Sequence, residues 1–96
     1  MVHDPLLQKA WEIRHQTECF PVETILKATV WLVEKHEEAP QWKTAIAIVV
    51  QYLVLGMRQE SQGIAKVYFS QALRWREEAG RLFNEQKLLT AYRGQN

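Results

Sequence analysis

Glu12 and His15 form a Glu-x-x-His unit, and His15 and Cys19 stand four residues apart. On a helix the first spacing sets a carboxylate and an imidazole on one face, as in carboxylate-bridged di-metal bundles. The second lets one helical turn chelate a metal. Both need partners. A di-metal site takes a second Glu-x-x-His and two further carboxylates, and the chain has no second unit. Glu18 is adjacent, but His3 and His36 lie elsewhere in the chain. No metal and no cofactor is therefore expected. Cys19, beside Phe20 and Pro21, is expected to pack as a small hydrophobe at the corner between the first two helices.

Nucleophilic and phosphate chemistry find no better footing. Ser61 and Ser70 are the only serines, and neither sits in a Gly-x-Ser-x-Gly turn. Gly56, Gly63, Gly80 and Gly94 are isolated, so no glycine-rich loop can cradle a phosphate. A chain of 96 residues makes one domain, residues 1–96, with little room for a substrate cavity. The expectation is a binding protein, not an enzyme, with no small-molecule substrate.

With 47% hydrophobic and 24% charged residues, the composition suits a globular domain. The net charge of +1 does not by itself imply nucleic acid or an anionic membrane. It is unevenly spread. Residues 1–56 carry five Lys/Arg against seven Asp/Glu, and residues 57–96 carry seven against four. A lone cysteine excludes an internal disulfide and suits a reducing compartment. Met1-Val2-His3-Asp4-Pro5 has no basic region leading into an apolar run, so a cytoplasmic location is expected.

Four helices must position these residues. Pro5, Pro21 and Pro40 each precede a helix-period pattern, and proline favours the first helical turn. Asp4 is a suitable N-cap for a first helix over about 5–17. A second runs over about 22–37, with apolar residues at Val22, Ile25, Leu26, Val30 and Val33. A third, about 41–59, holds Ala45–Met57, thirteen residues broken only by Gln51. Six consecutive apolar residues turn through the whole helix circumference, so this helix must lie at the centre. It is too short to cross a bilayer, which takes about 18 or more apolar residues. As a strand it would span roughly 43 Å, too long for so small a domain.

The last pattern keeps one phase from Ile64 to Leu89. Ile64, Tyr68, Ala72, Trp75, Ala79, Leu82, Phe83 and Leu89 fall within about 120° of arc. A single helix over about 63–92 is expected, of about 45 Å, overhanging its shorter neighbours. The fold class is thus all-α: an antiparallel bundle of four helices, or five if Gly80 breaks the last.

The overhang points to a partner. Its stripe from Leu82 to Leu89 is expected to be open in an isolated monomer, and exposed apolar surface rimmed by charge marks an interaction site. Arg76 and Lys87 project near Phe69, Leu73 and Phe83, which suits a protein interface or a phosphate backbone beside one. Arg74 adds to the basic side. The expected partner-binding residues are therefore Phe69, Leu73, Arg74, Arg76, Leu82, Phe83, Lys87 and Leu89.

The size, the all-helical pattern, the lack of catalytic motifs and the basic, aromatic final helix with Arg74-Trp75-Arg76 resemble the small helical subunits of CRISPR effector complexes. The resemblance implies a non-catalytic bundle that stacks along a guide–target duplex and contacts its backbone. Two functions are carried forward. One is an accessory subunit of a larger assembly, with or without nucleic acid, that binds through its long C-terminal helix. The other is a self-associating, protein-binding adaptor or regulator with no nucleic-acid contact.

Overall fold

In a computed structural model of the chain, residues 4–94 are described, with side chains placed through Thr90. They form four helices: α1 (Pro5–Gln16), α2 (Val22–Glu38), α3 (Trp42–Met57) and α4 (Gln62–Gly94). Among the described residues there is no strand, and no helix is long and apolar enough to cross a membrane. The all-α bundle is as the periodicity indicates. Gly80 does not break α4, which runs unbroken for 33 residues.

The punctuation acts as its chemistry dictates. The Asp4 side chain accepts a hydrogen bond from the Leu6 amide at 3.0 Å, and Pro5 opens α1 where a missing N–H costs nothing. Pro21 precedes α2 in an extended conformation, and Pro40 stands two residues before α3. No residue from Thr44 to Met57 is exposed. The largest fully buried side chains include Ile48, Val49, Val54 and Leu55, all on this helix.

α3 is the axis of the molecule. α1, α2 and α4 each pack on it, and among the described residues no pair of those three shares a backbone-level interface. Ala10 of α1 and Ile25 of α2 close one core around Val50, Val54 and Leu55. Ala79 and Leu82 of α4 close a second against Ala45, beside Trp42 and Trp75. α4 lays the Phe69 ring against Gly56, where a Cβ would stand 2.6 Å from it. Buried Thr29 is satisfied within α2, its hydroxyl donating to the Ile25 carbonyl at 2.8 Å.

The corner between α1 and α2 is held from outside. Arg58, just past α3, donates to the carbonyls of Thr17 and Phe20 at 3.0 and 2.8 Å. The Thr17 carbonyl also accepts the Phe20 amide at 2.9 Å, so the guanidinium reinforces a turn that the backbone already closes. Cys19 is exposed, contrary to the expectation that it packs there. The guanidinium fastens the corner, so no small apolar plug is needed.

Candidate interaction surfaces

The residues that suggested metal chemistry do other things. Gln8 donates to Glu12, His15 sets its ring edge-on to Trp11 at 4.8 Å between centroids, and Cys19 faces solvent. Among the described residues no three His, Cys, Asp or Glu side chains gather within reach of one ion. His36 is buried between α2 and α4. Its ring lies edge-on to Trp75 at 5.0 Å, and its Nε2 is 3.9 Å from Glu78. The Glu78 carboxyl is held below its usual range, first by hydrogen bonds from Arg81.

The eight expected partner-binding residues do not form one surface. Phe69 turns inward onto Gly56. Leu82 is buried, 7% exposed, where the sequence pattern left it open. The cause is small-residue packing: Ala45 and Ala79 let α4 approach the first turns of α3, so Leu82 seats beside Trp42. Arg76 donates to Asp4 at 2.7 Å and ties α4 to the start of α1. That bond is the main reason the Asp4 carboxyl titrates below its usual range. Arg74 lies on the other side of α4, between α2 and α4 with Gln71 and Glu78. Two residues apart on a helix, Arg74 and Arg76 diverge by about 160°. Leu73 is exposed over a furrow between α1 and α4 whose floor is Val49 and Leu53.

The remaining three, Phe83, Lys87 and Leu89, come together with others at the far end of α4. Phe83 sets its ring edge-on to Trp42 at 5.2 Å and is half-exposed. Gln86, Lys87 and Thr90 line a shallow recess with these two aromatic rings. Trp42 is the first residue of α3, so nothing in α3 lies opposite the next turns of α4. Residues 84–94 extend about 16 Å beyond Phe83. Leu89 and Leu88 stand on that overhang, and Leu88 is 71% exposed.

Two contributors were missed in the sequence. Leu88 falls off the stripe phase, and an off-phase leucine was the signal for it. Trp42 belongs to the recess through a tertiary contact that no periodicity encodes. Compared with protein-family models, curated proteins and solved structures, the chain matches none.

Proposed function

We propose that the protein is a non-catalytic interaction subunit that docks a protein partner on the overhanging end of α4. The observation that carries this is the length mismatch. α4 continues for about three turns past the first residue of α3, and those turns still carry Leu88 and Leu89 beyond the Trp42–Phe83 pair. A helix that served only to close the bundle would end where its cover ends, or turn polar. Exposed leucines rimmed by Lys87, Arg81 and Glu85 fit the apolar centre and charged edge of a protein interface.

A nucleic-acid-lining accessory subunit needs a strip of free cations. Arg76 is engaged with Asp4, and Arg74 faces another furrow, so the pair supports no such strip. A protein partner is the better reading.

The test is association. Leu88→Glu with Leu89→Glu should abolish co-purification of the partner from the source cells, at unchanged helicity of the isolated chain. Sedimentation of the pure protein separates a second copy from a different partner. A double variant with the same companions and the same mass as wild type overturns the proposal. Companions lost on nuclease treatment restore the nucleic-acid reading.

A further inference from the structure

α3 is apolar around its whole circumference, yet only three helices surround it. α4 covers one side. On the far side, α1 and α2 stand apart and leave a groove of about 500 Å³. Its floor is Ile46, Ala47 and Val50; Ile13 stands on the α1 wall, with Ala28 and Leu32 on the α2 wall. The run of apolar residues that marks α3 as central is thus left incompletely covered. Gln51, the single polar residue in that run, also lines the groove, and no hydrogen bond to its amide is present among the described residues.

The rim is charged with one sign. Lys9 of α1 and Lys43 of α3 both line the groove. Neither has an ion pair among the described residues, and the Lys43 ammonium stands over the ring of its neighbour Trp42 at 5.8 Å. α1 and α3 run in the same sense: Asp4 and Leu7 lie beside Val49 and Leu53, midway along α3, and Thr17 meets Arg58 just past its C-terminal end. Lys43 stands in the first turn of α3 and Lys9 in the N-terminal half of α1. The α3 residues of rim and floor, Lys43, Ile46, Ala47 and Val50, follow i, i+3, i+4, i+7, the spacing with which one helix receives another.

We infer that this groove receives an amphipathic, acidic helix of a protein partner. Its apolar stripe lies on Ile46, Ala47 and Val50 as a fifth helix of the bundle, and its carboxylates meet Lys9 and Lys43. Charge complementarity selects the sign: a basic helix would bring like charge to two unpaired ammonium groups. The overhang of α4 offers no free acidic stripe to the groove of a second copy: Glu85 is already paired with Arg81, and Lys87 would bring like charge to Lys9 and Lys43. This surface is separate from the overhang.

The probe is a synthetic helical peptide of about 14 residues, four turns, with leucines at alternating three- and four-residue spacing and glutamates between them. Its counterpart has lysines for the glutamates. Fluorescence anisotropy should show the acidic peptide binding at least roughly tenfold more tightly. Lys9→Glu with Lys43→Glu should invert that order. Ala28→Trp, which fills the groove from an exposed position, should remove binding at unchanged helicity. In the wild-type protein the methyl resonances of Ile13, Ile46 and Ala47 should shift on peptide addition, which needs no variant to fold. Leu88→Glu with Leu89→Glu should bind the peptide like wild type, so failure of the overhang proposal leaves this one standing. Three results would each overturn it. One is no binding of the acidic peptide. Another is binding indifferent to Ala28→Trp and to the two lysines. The third is a dimer dissolved by Ala28→Trp, which puts a second copy in the groove.

Discussion

Two glycines in helices have opposite meanings. At Gly80 a Cβ would meet nothing within 4 Å, and the backbone φ is not positive. Gly80→Ala should therefore stabilise the protein by about 1 kcal/mol, the helix-propensity difference. At Gly56 the same change drives a methyl against the Phe69 ring at 2.6 Å. Gly56→Ala should cost about 1–3 kcal/mol despite the better helix former, because overpacking outweighs propensity. Thermal melts of the two variants, moving in opposite directions, check the pair. A stabilised Gly56→Ala would mean that the ring moves aside freely.

Asp4 shows one residue in two roles, as the cap of α1 and as the partner of Arg76. Its carboxyl titrates below the ordinary value in the folded state, first because of the Arg76 hydrogen bond. A depressed folded pKa stabilises above the unfolded pKa, near 3.8, and the gain is lost as pH falls through the lower folded value. Arg76 is half-exposed, so screening holds the contribution to less than about 1 kcal/mol. Asp4→Asn keeps a good cap and removes the charge. Wild type should melt slightly above this variant at neutral pH, and the gap should close below about pH 4. A gap that persists in acid would assign the difference to capping.

Helix limits were legible because local chemistry sets them. Prolines and an aspartate cap start helices whatever the fold around them, and α4 crosses Gly80 because the stripe keeps its phase on both sides. The axial place of α3 was legible for the same kind of reason: six apolar residues in a row allow no exposed face. Contacts between elements were not legible. Nothing in the spacing of Arg58 announces that it reaches back across α3 to the carbonyls of Thr17 and Phe20. Nor does any pattern say that Arg76 takes Asp4, or that Ala45 and Ala79 let Leu82 sink. The groove was illegible because it depends on how far apart α1 and α2 stand on α3. Arg58→Ala tests the corner at this scale. Losing two charge-assisted hydrogen bonds from a partly sheltered site should cost about 1–2 kcal/mol. Faster amide exchange at the α1–α2 turn, with α4 unaffected, should accompany it. Equal loosening of α4 would mean that Arg58 supports the whole bundle.

At the scale of the molecule, shape follows from unequal helices. The radius of gyration is 15.1 Å, and the longest dimension is 53 Å. A compact chain of this length would have a radius of about 12–13 Å. The excess comes from α4, whose 33 residues span about 50 Å against about 24 Å for α3. Large apolar side chains stand exposed on every helix but α3, Leu7, Trp31, Leu73 and Leu88 among them. The docking proposed above would cover part of this apolar surface. Ending the chain at Glu85 separates what α4 does for the fold from what it does for a partner. That cut keeps Leu82, the Trp42–Phe83 pair and the Arg81–Glu85 bond at 2.6 Å, while removing Lys87, Leu88 and Leu89. Of the described side chains removed, Gln86 to Thr90, none belongs to either buried core. The shortened protein should therefore melt within about 1 kcal/mol of the full chain, as surface changes do. It should lose helicity only in proportion to the residues removed, and lose the partner altogether. A shortened chain that unfolds would show instead that the distal turns of α4 hold the bundle together. Their leucines would then be structural, and the search for the partner surface would move to the groove between α1 and α2.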